Sequence, residues 1–505
     1  MVKKPLYCTV IMTKKWNDNC KLNACGFQLD YSYLDLPTAF YTKINPSKVK
    51  LPTMVILNDQ VANSLGLNFS HMTLKEQAKL FSGNVIPAGV EPFAQAYAGH
   101  QFGYFTKLGD GRAHMLGEQL LADGSRMDIQ FKGSGRTPYS RQGDGRATLG
   151  PMLREYIISE ALYALNIPTT RSLAVITTGE DVIRETLLPG AILTRIAQSH
   201  IRVGTFEFAA ANRDENLLTR LLTYTTNRHF PELKSEKNVG LAFLEKVMNL
   251  QVDLMVHWMR VGFIHGVMNT DNMAISGQTI DYGPCAFMDT YNPATVFSSI
   301  DHAGRYCFGN QPNIAQWNLA RLAEALLPLL DTDQSKAIEI AQDTIGSFKV
   351  LYQTKWLEMM RLKLGMLDSK PGDEQLINNL LEWMKVNQTD YTNTFRELSQ
   401  LDKPVGKLYD RNDFNVWYKS WQDRLAESKH DKKSALRVMK QHNPAIIPRN
   451  HNVEAALNAA VEGDLNGFQN LLDVLKTPYQ DADHLKPYQS PPKPSDQVYQ
   501  TFCGT

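Results

Sequence analysis

The chain has 505 residues, with 53 Lys and Arg against 52 Asp and Glu, for a net charge of +1. That balance gives no electrostatic basis for nucleic-acid binding, which calls for a strongly basic surface. With 43% apolar and 21% charged residues, the composition is that of a globular protein too long for one small core, so two lobes or a few domains are expected.

The N-terminal run MVKKPLYCTVIMTKKW has an apolar stretch, Tyr7 to Met12, interrupted by Thr9 and followed by Lys14 and Lys15. No signal peptide is expected. No window reaches the ~18 apolar residues of a membrane span, so no membrane contact is expected, and the cytoplasm is the expected compartment. Cys8, Cys20, Cys25, Cys285, Cys307 and Cys503 form no C-x-x-C pair, so no zinc site is expected. The first ~60 residues, with Pro37, Pro46 and Pro52, read as an irregular lead-in. Residues 71–83 read as a helix ending at Gly83. From Gln101 to Ile129, alternating runs are separated by Gly-Asp-Gly and Ala-Asp-Gly turns, the pattern of hairpins. Met127 to Lys132 alternates as a strand, and a glycine-rich loop runs from Gly133 to Arg146. A helix follows from Leu149, with Pro151 in its first turn and Leu149, Leu153, Tyr156, Ile157 and Ala161 on one face. Ser172–Ile176 and Ile192–Ile196 read as strands. Beyond residue 206 the texture is helical: 213–226, 240–262, 317–330, 335–365, 374–386, 413–428 and 452–475. From Lys476 the chain is proline-rich and polar and is expected to be loosely ordered. The expected fold is α+β, with the lobe order of a protein kinase: an N-terminal extension over 1–95, a sheet-containing N-lobe over 96–205, a helical C-lobe over 206–475 and a tail over 476–505.

The stretch from His265 to Gly283, HGVMNTDNMAISGQTIDYG, carries the chemistry. Kinases use H-R-D-x-x-x-x-N followed by D-F-G, where the first Asp takes the hydroxyl proton and the Asn and second Asp hold magnesium. Here Asn272 follows His265 at the kinase interval and Asp281-Tyr282-Gly283 stands for D-F-G, but Val267 occupies the place of the base. An Asn oxygen and an Asp carboxylate, with phosphate oxygens, suit a magnesium ion. The run Ala274–Ile280 is expected to form a β-hairpin that brings Asn272 and Asp281 to one end. Lys132 at a strand end and Glu155 on the next helix are the pair that grips phosphate in kinases, with Glu160 a rival partner. Two Gly-Asp-Gly-Arg loops, Gly109 to Arg112 and Gly143 to Arg146, bracket Lys132. Their glycines allow close backbone approach to a ligand, although Asp-Gly turns are common in any hairpin. Arg195 and Arg202 are candidates for bidentate phosphate contacts. Two surface arginines would show the same spacing.

Taken together, these motifs resemble the selenoprotein O family of pseudokinase-like protein adenylyltransferases. The resemblance rests on YAGHQFGYFTKLGDGRAHMLGE from Tyr97, on QFKGSGRTPYSRQGDGRATLGPMLREY, and on HGVMNTDN with DYGP, and extends weakly to RNHNVEAAL. It implies a kinase fold that binds ATP flipped and transfers AMP to Ser, Thr or Tyr hydroxyls of proteins. On this chain it implies ATP contacts at Gly109, Gly111, Arg112, Lys132, Asp144, Gly145, Arg195, Arg202 and Asp281. It places magnesium, with manganese as the alternative ion, on Asn272 and Asp281, makes Asp271 the proton acceptor and Glu155 the ion-pair partner of Lys132. If residues 270–272 are extended, Asp271 points away from Asn272 and toward an acceptor hydroxyl. Family members often carry a cysteine near the C-terminus, where Cys503 stands. Phe297 occupies a position that is Cys in some relatives, with Cys285 and Cys307 nearby.

Three activities are in contention. The first is protein adenylyl transfer. The second is a hydroxyl-directed kinase using Asp271 as a displaced base, and the third is a non-catalytic ATP-binding pseudokinase. Val267 weighs against the second, and intact Lys132, Asn272 and Asp281 weigh against the third.

Overall fold

The computed structural model describes residues 24–501 except 213, 401–402, 497 and 499. A ten-stranded antiparallel sheet is built from β1 (Leu29–Asp30), β2 (Tyr41–Lys43), β3 (Thr53–Leu57), β4 (Phe93–Gln101), β5 (Tyr104–Gly109), β6 (Ala113–Leu120), β7 (Arg126–Lys132), β8 (Ala147–Thr148), β9 (Arg171–Ile183) and β10 (Leu187–Ala197). Its main path runs β2-β4-β6-β7-β10-β9-β3, with β1 on β6, β5 on β4 and β8 on β10.

Strand alternation assigns the two faces. Ile129, Phe131, Ala174, Ile176, Ile192 and Ile196 pack against Ala78, Leu80 and Phe81 of the helix Leu74–Phe81. That helix starts where Thr73 and Glu76 form a reciprocal capping box. On the opposite face Met115, Val175 and Leu193 join the main core. Gln130, Lys132 and Arg195 alternate with the first set and therefore belong to this second face. Across β7 and β10, Arg195 stands opposite Gln130 and Leu193 opposite Lys132.

The second face is crossed by the helix Leu149–Ala164, whose residues are buried on nearly every side. A helix covered all round must be enclosed by other elements. Here the sheet lies on one side and the helices Asn450–Val461 and Asn466–Leu475 on the other. Arg154 fixes it further: its guanidinium donates to the Cys285 carbonyl (3.4 Å) and Asn450 Oδ1 (3.3 Å), and it pairs with Glu454. The helical region then follows, including Val203–Ala211, Glu215–His229, Val239–Val261, Gln311–Leu330 and Phe348–Lys363. Its apolar faces are continuous with those of the sheet, so Phe93, Leu193, Phe243 and Leu322 lie in one buried cluster. Among the described residues no helix is long and apolar enough to cross a membrane.

Several sequence expectations need correction. The lead-in is not wholly irregular, because it supplies β1, β2 and β3; strands of two to five residues are too short to show alternation. The span 335–365 is two helices meeting at Ser347, and 452–475 is two helices separated near Gly463, whose φ is +99°. The helices Tyr391–Leu398 and Lys432–His442 were not anticipated. The expected hairpin over 274–280 is absent. Its backbone bonds go elsewhere: Ile275 N–H donates to Ile201 and Thr279 N–H to Pro168. The two-stranded unit instead pairs Phe263–Ile264 with Ala286–Phe287. The tail is anchored at Thr501, which is buried and whose N–H donates to the Phe297 carbonyl at 2.7 Å. Cys285 is buried and Cys307 partly exposed; Cys8, Cys20 and Cys503 lie outside the described residues.

The helix Val203–Ala211 presses so closely on β4 that a Cβ on Gly204 would collide with the Ala98 carbonyl. Gly204→Ala is expected to destabilise the fold by about 1–3 kcal/mol, the usual range for overpacking. A Cβ on Gly346 meets nothing within 4 Å, so Gly346→Ala is the matched control. Thermal unfolding at a fixed scan rate should show a lowered Tm for the first variant and none for the second.

Candidate active site

A cleft of about 570 Å³ opens between the sheet and the loop after the helix Val239–Val261. The structure brings to its walls every residue expected to contact ATP, hold the metal, pair with Lys132 or accept the proton: Gly109, Gly111, Arg112, Lys132, Asp144, Gly145, Glu155, Arg195, Arg202, Asp271, Asn272 and Asp281.

Four charges form its floor. Lys132 Nζ lies 2.7 Å from Glu155 Oε2 and 2.6 Å from Asp281 Oδ1. Arg195 reaches the same two carboxylates, with Nη2 2.6 Å from Glu155 Oε1 and 2.6 Å from Asp281 Oδ1. The rival Glu160 is engaged elsewhere, by Arg171 at 2.7 Å and Asn58 at 2.8 Å. Burial opposes the charge on Glu155, but Arg195 and Lys132 outweigh it and lower its pKa. For Asp281, burial is likewise outweighed by Lys132, Arg195 and Arg202, which hold the carboxyl well below the usual range. Asp281 has φ +65°, a left-handed conformation costing a non-glycine residue roughly 1–2 kcal/mol.

Arg202 is held differently. Its side chain is 2% exposed, and its guanidinium sits 4.2 Å from the centre of the Tyr97 ring. Nη1 is 3.7 Å from Asp110 Oδ1, too long for a hydrogen bond, and neither Nε nor Nη1 has a hydrogen-bond partner among the described residues. Asp110 is occupied by the Gln95 N–H, which donates to Oδ2 at 3.0 Å. Unpaired guanidinium donors buried at a cleft wall are costly, and an anion would satisfy them.

The two glycine loops are stitched together. Thr137 Oγ1 donates to the Asp110 carbonyl at 2.7 Å, and Ser140 Oγ donates to the Gly111 carbonyl. Gly109, at φ +155°, lies against the Tyr139 ring where a Cβ would collide. In the second loop, Asp144 accepts two bonds from Arg184, at 2.8 and 3.2 Å. That contact is the first cause of its lowered pKa. Sequence reading missed Arg184, Tyr97, Gln130 and Tyr139, all of which line the cleft. Gln130 was recoverable, being two residues before Lys132 on one strand. Arg184 sits at a hairpin turn with no local signal.

The loop after His265 closes the cleft. His265 Nε2 donates to the Ile280 carbonyl at 2.9 Å, and its ring stacks on Trp258. Burial lowers its pKa, so it is a neutral strut between the two halves of the motif. Asn272 Nδ2 donates to the Val267 carbonyl at 3.0 Å, leaving its Oδ1 as the acceptor end. Residues Thr270–Asn272 are a single 3₁₀ turn, not the extended stretch considered above, so strand alternation does not set the direction of Asp271. Packing does: a Cβ on Gly99 would collide with the Asp271 carboxylate. Asp271 Oδ1 is buried and has no partner among the described residues. Burial pushes its pKa up to about 7, against the pull of Arg202.

The donor set fits a magnesium ion. Asn272 Oδ1 and the Asp281 carboxylate are hard oxygens on one cleft, and both cations on Asp281 use Oδ1, leaving Oδ2. Among the described residues no cluster of three or more His, Cys, Asp or Glu is placed to hold a metal alone, so phosphate and water oxygens would complete the shell.

Comparison with known proteins agrees with this chemistry. The family described as "Protein adenylyltransferase SelO" matches residues 26–476. A relative in Nitrosococcus oceani, "Protein nucleotidyltransferase YdiU", is 57% identical over 481 residues, covering 95% of this chain and 98% of the relative. Relatives of the same name in Bacillus cereus and Bacillus anthracis are 54% identical over 486 residues, covering 96% of this chain and 100% of each relative. A match over so much of the chain, joined to an intact cleft, means that this protein belongs to the SelO family of protein adenylyltransferases.

Proposed function

We propose that the chain transfers the AMP moiety of ATP to a Ser, Thr or Tyr hydroxyl of a protein substrate and releases pyrophosphate. Residues 96–205 and 206–475 would act as the two lobes of a protein-kinase-like fold, with 1–95 and 476–505 as extensions. The observation that carries the reading is Arg202, buried with unpartnered Nε and Nη1 on the same cleft as Lys132 and Arg195. Three cations deep in the cleft suit the outer phosphates. Their triphosphate partner then presents the α-phosphorus outward, where a kinase would present the γ.

In the step, the acceptor oxygen bonds to the α-phosphorus as the bond to the α,β-bridging oxygen breaks, and the electron pair leaves on pyrophosphate. Lys132, Arg195 and Arg202 stabilise that charge in a water-poor setting, where preorganised donors act most strongly. Glu155 keeps Lys132 and Arg195 in place. Asn272 and Asp281 would hold magnesium, which when bound neutralises phosphate charge. Val267 cannot take a proton. Asp271, with its unpartnered buried oxygen, is the group that accepts the hydroxyl proton.

ATP labelled separately at the α and γ phosphorus tests the reaction. Label from the α position is expected in protein and none from the γ; γ label alone would make the enzyme a kinase. Asp271→Ala should leave ATP affinity intact while slowing transfer about 10²–10⁴-fold, the usual span for a general base; an unchanged single-turnover rate would remove Asp271 from that role. Arg202→Met should weaken ATP binding by about ten- to a hundredfold, the worth of charge-assisted hydrogen bonds. Titration calorimetry showing wild-type affinity would place the triphosphate elsewhere.

A further inference from the structure

The acceptor side of the cleft has its own architecture. The hairpin of β4 and β5 leaves the sheet and leans on the catalytic loop: His100 N–H donates to Thr270 Oγ1 at 2.7 Å, and Phe102 N–H to Asn269 Oδ1 at 3.0 Å. Asn269 Oδ1 also accepts from the Tyr306 hydroxyl at 2.7 Å. Around this junction side chains form a continuous rim. Phe105 packs on His100 (5.5 Å between ring centres), His100 on Trp317 (5.3 Å) and Phe102 on Tyr306 (5.1 Å). Arg305 closes the circuit, its guanidinium 4.8 Å from the Trp317 ring and 5.7 Å from that of Tyr306. Arg321 covers Trp317 from 5.1 Å.

Three properties of this rim call for an occupant. Tyr104 and Phe105, on opposite faces of the hairpin tip, are 80% and 44% exposed, and Ile300 on the cleft wall is 57% exposed. Among the described strands β5 pairs only with β4, so its outer edge offers main-chain groups to an extended chain. Two cations of the rim have no ion pair among the described residues, Lys107, exposed on β5, and Arg305, whose buried Nε has no hydrogen-bond partner, whereas Arg321 is paired with Glu324 and His100 with Glu207.

We propose that the β4–β5 hairpin with Arg305 and Trp317 is the docking surface for the protein substrate, and that it selects an extended segment with acidic residues beside the target hydroxyl. This rests on the adenylyl-transfer reading. The segment lies along β5, its carboxylates meet Arg305 and Lys107, and its hydroxyl passes Phe102 to reach Asp271. The contacts of His100 and Phe102 with the catalytic loop make docking surface and proton acceptor one continuous structure.

The test uses the full chain, a non-hydrolysable ATP analogue and fluorescent synthetic peptides. Each peptide has one Ser, Thr or Tyr flanked either by Asp and Glu or by Lys and Arg. By fluorescence anisotropy the wild type should bind the acidic set about fivefold or more tightly, as a rim charge contact allows, and the preference should fade with added salt. Arg305→Glu should reverse it, Arg305→Lys should keep it, and ATP affinity should be unchanged in both. Equal binding of the two sets by wild type, or an acidic preference that survives Arg305→Glu, would overturn the proposal. The same peptides are then incubated with α-labelled ATP. Should the acidic set bind as expected while no α label enters any peptide or protein, the docking surface stands and the transfer reading falls.

Discussion

The cleft depends on one knot of four charges. Glu155 and Asp281 each accept from both Lys132 and Arg195, with separations of 2.6 to 2.7 Å. Desolvating these groups is expensive, and a buried ion network is rarely the most stable way to fill a core. Removing one member would leave the others uncompensated, which costs more still. The arrangement makes sense as a device for position: it brings together a strand end, a helix, a second strand and the Asp281 turn, and fixes both cations on the wall of the cleft.

Two aspartates in the same loop region show how environment divides the work. Asp281 faces three cations and is held ionised. Asp271 is pressed against Gly99, its buried Oδ1 has no hydrogen-bond partner among the described residues, and burial raises its pKa. Carboxyl groups pushed in opposite directions within one cleft are suited to different roles, and the proposed division makes Asp281 an electrostatic anchor and Asp271 the proton acceptor. Glycines at 99 and 204 make the second environment by letting β4 approach the loop and the Val203–Ala211 helix.

Much of this was legible in the sequence because it rests on short-range periodicity. Lys132 alternates with the core residue Phe131, Glu155 lies on a helix marked by its apolar repeat, and the interval from His265 to Asn272 is local. What escaped depends on distant partners. The 274–280 segment has a hairpin's composition, but its backbone bonds go to Ile201 and Pro168. Arg184 reaches Asp144 from another hairpin, and Tyr97 becomes a site residue only because Arg202 lies over its ring. The short strands β1 and β2 are made by their neighbours, since so few residues have no pattern of their own.

The enclosure of the helix Leu149–Ala164 has a further consequence. In a signalling enzyme such a helix can swing to make and break its lysine pairing, and so act as a toggle. Here an outward swing would tear Glu155 from two cations and Arg154 from its carbonyl, amide and carboxylate partners in one movement. Adjacent residues of one helix thus brace the socket from two sides, Glu155 toward the cations and Arg154 toward the helix Asn450–Val461.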